Sequence, residues 1–302
     1  MSIRNSLLRL LLSCVDAQRI LAGLIIVVLS PVALAEISVL DDTGHKVTLA
    51  APAKRIVSLA PHLTEILFAL EVGNEIVGTS RYSDYPPAAK KIPRLGDALS
   101  VSVESVVAMK PDIVFAWRSG GSDRALAKIQ ALGIPVYFSE APRLADIGRS
   151  VAKMGKLVGK PTRGRELAAA FFLGLSRLRE SPPSEPVAVF FQISDQNLYT
   201  VNNRHLIGQA ITLCGGENVF GGAAAMVPIV SKEAVLGARP NLIVITRAKG
   251  SPPSPWEAKW DAYPSLKGKV AYIDPDLISR PGLRMLEGIS QLCSLIRQAS
   301  KR

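Results

Sequence analysis

Histidine is scarce in this 302-residue chain, and no two of His45, His62 and His205 stand at the spacing of a zinc site. There is no Gly-x-Ser-x-Gly elbow and no phosphate-binding glycine loop. Nor does any nucleophile stand beside a base in a legible pair. These absences argue against hydrolase, nucleotide-dependent and zinc chemistry, and the chain is read as a non-enzyme without a cofactor or metal. Glu65 and Glu104 are read as residues of helix N-terminal turns rather than acid–base groups. His62 is read as a helix-start residue that can also face a cleft. Gly120-Gly121 is read as a plain turn. Aromatic residues make up only 6%, and no basic run is interleaved with them. The formal charge of +11 therefore reads as a solvated cationic surface, not as a nucleic-acid footprint.

Long apolar runs are also lacking, save one. Arg4, Arg9 and Arg19 precede the mainly apolar stretch Ile20 to Leu34, and Ala33-Leu34-Ala35 fits the small-x-small rule for leader cleavage. The stretch is short for a bilayer of about 30 Å. Residues 1–35 are thus expected to be a signal peptide cleaved near Ala35, with a retained anchor as the alternative, and the protein to be exported to the periplasm. Cleavage removes those three arginines and Asp16, which lowers the charge from +11 to +9. It also removes Cys14. The two remaining cysteines, Cys214 and Cys293, read as one disulfide in an oxidising compartment. A metal site is the rival reading, although neither cysteine has a Cys or His at ligand spacing.

One block of sequence occurs twice. Ser102-Val103-Glu104-Ser105-Val106 leads through Lys110-Pro111-Asp112 into Ile113-Val114-Phe115. Ser231-Lys232-Glu233-Ala234-Val235 leads through Arg239-Pro240-Asn241 into Leu242-Ile243-Val244, an offset of 129 residues. Each copy reads as a Ser-capped helix, a proline stop and a β-branched strand. The bland reading is chance recurrence of a common α/β unit. The informative one is two similar lobes with a cleft between them. Around these blocks strands and helices alternate, the pattern of parallel sheets covered by helices. A β-hairpin turning at Asp41-Asp42-Thr43-Gly44 precedes them. Helical spacing from Leu144 to Val158 is followed by a helix from Pro161 to Glu180, about 30 Å long. The fold class is therefore α/β, with two lobes over 36–158 and 185–302 joined by one long backbone helix within 159–184. No long Gly/Ser linker occurs, so lobe motion is expected to be small.

In such sheets, ligands meet the loops after the carboxyl ends of the strands. That rule selects Ala60-Pro61-His62, Arg81 to Pro87, Trp117 to Gly121, Ser194 to Asn203, Thr246-Arg247 and Asp274 to Arg280. Tyr82, Tyr85, Trp117 and Tyr199 all fall there. Flat rings beside small polar groups suit a large ligand with apolar faces and hydrogen-bonding edges. The competing reading makes Trp117 and Tyr85 caps over the core.

The same loops carry a resemblance to the periplasmic cobalamin-binding proteins of bacterial ABC importers. It rests on Arg55-Ile56-Val57-Ser58-Leu59-Ala60-Pro61 with Thr64-Glu65, on Tyr82-Ser83-Asp84-Tyr85-Pro86-Pro87, and on Lys110-Pro111-Asp112 with Ala116-Trp117-Arg118. Cys214-Gly215-Gly216-Glu217-Asn218 and Gln291-Leu292-Cys293 resemble the segments that hold that family's disulfide. The resemblance implies capture of cobalamin or a related corrinoid and delivery to an inner-membrane permease by a monomer. It implies two Rossmann-like lobes joined by one long helix and, carried over by position, corrinoid contacts from Tyr82, Trp117 and Tyr199. With the strand-end loops, the candidate ligand set is Tyr82, Ser83, Asp84, Tyr85, Trp117, Arg118, Tyr199, Arg247 and Arg280. It also implies docking on the permease through one acidic residue per lobe. The first corresponds to Asp123. The second falls at Ser279, which is not acidic, so Asp276 or Asp274 would substitute; the family's neighbouring cleft Trp falls at Leu277. The alternative within the same fold is a haem or ferric-siderophore receptor, with Tyr82, Tyr85 or His62 as axial ligand. The alternative of a different class is an exported enzyme on this scaffold.

Overall fold

The computed structural model describes residues 36–302 apart from Ala98, Leu99, Ser181, Asp195 and Arg302. The expected signal peptide lies outside the described residues. A hairpin of β1 (Ile37–Leu40) and β2 (Lys46–Leu49) opens the fold. Its turn is built by buried Asp41, whose carboxylate accepts the backbone N–H groups of Thr43 and His45.

Two four-stranded parallel sheets follow. The first takes β3 (Ile56–Ser58), β4 (Ile76–Thr79), β5 (Ile113–Trp117) and β6 (Val136–Ser139) in the order β4-β3-β5-β6. The second takes β7 (Val187–Gln192), β8 (Gly216–Asn218), β9 (Leu242–Thr246) and β10 (Val270–Ile273) in the order β8-β7-β9-β10. Numbered within each sheet, both orders read 2-1-3-4. The repeated block is thus one topological unit used twice: α2 (Val103–Ala108) leads into β5, and α7 (Lys232–Ala238) leads into β9.

The two copies agree in chemical detail. Ser102 accepts the N–H of Ser105 at 3.1 Å, and Ser231 that of Ala234 at 3.1 Å, so each helix is capped by its serine. Lys110 and Arg239 both adopt left-handed backbone, at φ 46° and 48°. The prolines behind them disfavour continued helix. Asp112 then accepts the backbone N–H groups of Lys54 and Arg55, while Asn241 accepts that of Ala188. Each side chain ties its strand to the start of the first strand of its own sheet.

Both sheets are buried on both faces, as parallel sheets must be. Along β5, Ile113 and Phe115 enter one core while Val114 and Ala116 enter the other. Along β9, Leu242 and Val244 alternate with Ile243 and Ile245 in the same way. Between the sheets run α4 (Leu144–Leu157) and α5 (Pro161–Arg179). Gly159, at φ 72°, helps to turn the chain between them. The sequence predicts a single joining helix, and α5 is that helix, but α4 joins too. Leu144 and Ile147 of α4 pack in the second lobe, and Val151, Met154 and Leu157 in the first. The two helices approach closely where Gly155 meets Gly164. A Cβ on Gly155 would sit 2.9 Å from the Gly164 Cα. Cys214, at the end of α6 (Leu206–Leu213), is bonded to Cys293 in α10 (Met285–Ala299), inside the core of the second lobe. The metal reading of these cysteines therefore falls away. The bridge spans 79 residues and constrains the unfolded chain by about 4.5 kcal/mol on the loop-entropy argument. No helix among the described residues is long and apolar enough to cross a membrane.

The lobes meet at the start of α1 (Pro61–Ala69). His62 is buried there, edge-on to Trp117 with ring centroids 5.5 Å apart. Gly282 of the second lobe packs so close that a Cβ on it would lie 3.2 Å from the His62 Cβ. Its neighbour Leu283 packs against the cores of both lobes. Burial, reinforced by the Arg280 guanidinium, lowers the His62 pKa from 6.5 to about 3. A histidine kept neutral in the fold but free to charge when unfolded stabilises the fold above its unfolded pKa. That stability is expected to drain away as pH falls from 6.5 toward 3, by at most about 1.4 kcal/mol per pH unit. Denaturant melts across this range should show the slope in the native chain and a flatter one in His62→Gln. Equal slopes would assign the acid sensitivity to other groups.

Candidate functional site

The carboxyl ends of the strands hold every loop that the sequence singles out. Tyr82 and Tyr85 follow β4, Trp117 ends β5, Tyr199 follows β7, Arg247 follows β9 and Arg280 follows β10. A cleft of about 360 Å³ opens between the lobes on this side. Trp117, Ser119, Glu140 and Pro142 line it from the first lobe, and Arg204, His205, Met226 and Pro281 from the second. A larger groove of about 810 Å³ runs beside α5 and α6. Of the selected strand-end loops it touches only the last residue of one, Asn203, and none of the aromatic or charged residues expected to bind, so the smaller cleft is the candidate.

Trp117 is half-buried, which reconciles its two readings: one part of the indole packs on the first core and another faces the cleft. Its position depends on Gly120. A Cβ there would lie 2.0 Å from the indole ring, so this glycine is required by packing and is more than a turn residue. Tyr82 is 62% exposed and stands on left-handed backbone at φ 66°. Tyr85 is 46% exposed and precedes a cis proline. Neither tyrosine caps the core.

The polar members of the expected set are more occupied. Ser83 is buried, and its hydroxyl lies 3.2 Å from that of Thr64 and 3.3 Å from that of Ser80. It braces the loop from within and does not present its side chain to the cleft. Asp84 pairs with Arg94 at 3.1 Å. Arg118 pairs with Asp123 at 2.9 Å and lies over the Phe138 ring. Arg247 stacks on Tyr272, 3.8 Å from the ring centroid. Tyr199 pairs through its backbone with Ile229.

Ile229 belongs to a segment that sequence reasoning passed over. Met226, Val227 and Ile229 are large, apolar and exposed, and Met226 reaches the cleft. Backbone N–H groups of Thr200 and Asn202 donate to Pro228 and Met226, which fixes the segment against the β7 loop. The available signal was an uncharged run, Ala223 to Val230, with neither helical nor strand period. Glu140 was also missed. Its carboxylate accepts the N–H and hydroxyl of Ser119 and so shapes the first-lobe wall.

A chain of charged contacts crosses the seam beside the cleft. Glu65 is not in the first turn of α1, as the sequence reading had it, but further along the helix and buried. Its Oε1 accepts from Arg280 at 2.7 Å and from Arg284 at 3.3 Å, both from the second lobe. Arg280 also holds Asp276 at 2.7 Å. The Arg284 guanidinium lies 3.9 Å from the centroid of the Tyr85 ring. Burial pushes the Glu65 carboxyl up and the two guanidiniums pull it back down, with burial the larger effect.

The periplasmic binding protein family matches residues 56–278. A vitamin B12-binding protein of Vibrio cholerae serotype O1 is 33% identical over 255 residues, which is 83% of this chain and 92% of that protein. One from Pectobacterium carotovorum is 34% identical over 263 residues, or 85% and 94%. The crystal structure of the periplasmic vitamin B12-binding protein of Vibrio cholerae superposes with a TM-score of 0.74 at 33% identity, covering 83% of this chain and 99% of that one. A periplasmic haem-binding protein from Roseiflexus sp. RS-1 shares the fold at a TM-score of 0.72 and 24% identity, over 82% and 99%. Two like-wound lobes, a cleft at their strand ends and a match over most of the sequence place the chain in one family: it belongs to the periplasmic binding proteins.

Proposed function

We propose that this chain captures cobalamin or a related corrinoid and presents it to the permease of an inner-membrane ABC importer, leaving the ligand chemically unchanged. It does so in the periplasm, as a monomer, after losing residues 1–35 near Ala35. The observation that carries the reading is Trp117, a half-exposed indole fixed by His62 and Gly120 at the wall of an inter-lobe cleft. Relatives at one-third identity that are vitamin B12-binding proteins support the choice of ligand. A corrinoid is larger than the enclosed space, so it would extend beyond it, toward the exposed rings of Tyr82 and Tyr85 in the loop after β4. Tyr82, Asp84, Tyr85, Trp117, Arg118, Tyr199, Arg247 and Arg280 are the proposed contacts. Ser83 acts from inside the loop. Asp123 and Asp276, both exposed acids at helix starts, are the proposed docking contacts on the permease.

Isothermal titration of the mature chain with cyanocobalamin should give one-to-one binding. Clear binding of haemin with no response to cobalamins would favour the haem reading and overturn this one. Because His62 is buried, that outcome would turn attention to Tyr82 and Tyr85 as axial ligands.

Trp117→Ala is expected to weaken cobalamin binding by about 2 kcal/mol or more, the loss of an aromatic anchor. An unchanged dissociation constant would leave Trp117 with its packing role alone. Asp123→Ala is expected to leave affinity unchanged, because its exposed pair with Arg118 contributes little. The same change should slow uptake by the reconstituted importer and weaken its salt dependence, as loss of a rim charge does. Lower ligand affinity with intact uptake would move Asp123 from the docking surface into the cleft.

A further inference from the structure

Glu65 lines no part of the cleft, yet it is the point on which the charged contacts between the lobes converge. One carboxylate oxygen accepts from two guanidiniums of the facing lobe. Those guanidiniums belong to the segment that follows β10. One of them extends the contact outward to Asp276, and the other extends it to the exposed ring of Tyr85 in the loop after β4. The pairs are sheltered, with the Glu65 side chain 4% exposed and that of Arg280 15%. Sheltered pairs are screened far less than surface ones. Around this carboxylate the remaining seam is apolar or neutral: Leu283, Gly282, and His62 three residues earlier on α1. The other oxygen of Glu65 has no partner among the described residues. The carboxylate is thus only half-saturated. That suits a tie that can be made and broken, because a fully satisfied buried network is what fixes a structure permanently.

We propose that Glu65 is a positioning residue: its carboxylate ties the second-lobe segment Arg280–Arg284 to α1 and thereby sets the width of the cleft and the time a ligand stays in it. The tie holds Tyr85 and Arg280 at fixed separation, so two contacts from different lobes meet the ligand together. Among variants of one binding site, changes in affinity show mostly in the dissociation rate. The part concerning the ligand rests on the function proposed above, and the part concerning lobe spacing does not.

The test separates the two. Spin labels are placed at two exposed positions, Gln130 on the first lobe and Lys267 on the second, by Gln130→Cys and Lys267→Cys in the mature chain. Glu65→Gln keeps shape and removes charge. In the absence of ligand it is expected to broaden the inter-label distance distribution. In stopped flow, cyanocobalamin should leave the unlabelled Glu65→Gln protein about tenfold faster. Glu65→Asp, which keeps the charge, should restore much of the native distribution. Arg284→Gln leaves the Arg280 pair in place and should show both effects more weakly; it serves as the test if Glu65→Gln fails to fold. Native distances and dissociation rates in the variants, even with a lowered melting temperature, would overturn the proposal by showing Glu65 to be a stability residue only. Broadened distances without any cobalamin binding by the native chain would uphold the tie and defeat the ligand assignment.

Discussion

The structure depends first on two helices packed side by side. α4 and α5 form a helical hairpin whose halves approach closely at Gly155 and Gly164. Both helices contribute side chains to both lobes: Leu167 of α5 packs on the first core, and Phe171 lies in the second. An element embedded in two cores cannot hinge freely without exposing apolar surface, at about 25 cal/mol for each Å² uncovered. This pair therefore sets where the carboxyl edges of the two sheets lie relative to each other. The cleft, the seam at His62 and the contacts of Glu65 all follow from that spacing.

Much of the architecture was legible because it rests on local rules. The repeated block marked two lobes, and its Ser caps, prolines and β-branched strands are signals that need no knowledge of distant contacts. Its agreement extends to features that no pattern rule names. The left-handed residues before Pro111 and Pro240, and the backbone ties made by Asp112 and Asn241, recur at the same positions. Chance recurrence of a common unit does not account for matching tertiary hydrogen bonds. The disulfide was legible too, since only Cys214 and Cys293 lie beyond the expected leader and they leave one pairing open.

What remained hidden depends on contacts between residues far apart in sequence. Glu65 looked like a helix-turn acid because its partners lie 215 and 219 residues away. Gly120 looked like a turn residue because nothing in sequence says that an indole will lie against it. Ser83 looked like a ligand contact because its run matched a binding motif, yet the motif fixes a loop shape and this hydroxyl holds it from inside. Met226 and Ile229 carried no periodic signal because they sit in a segment held by the backbone of a neighbouring loop.

The two ways in which the lobes are joined differ in physical kind, and this bears on how such a protein works. The helix hairpin is apolar and close-packed, and packed cores are discrete in their arrangements, not continuously deformable. On the cleft side the seam adds to the small apolar contact of Gly282 and Leu283 a few ionic contacts that are incompletely satisfied. Parting the half-saturated carboxylate from the two guanidiniums leaves each guanidinium its other contact, Arg280 with Asp276 and Arg284 with the Tyr85 ring, whereas bending α5 would uncover apolar surface in both cores. Motion is therefore directed to the cleft side, with small amplitude and the helices as a stiff back. A receptor built in this way stays nearly preformed, which limits the entropy lost when ligand binds. It leaves the adjustment to a small set of side chains beside the cleft.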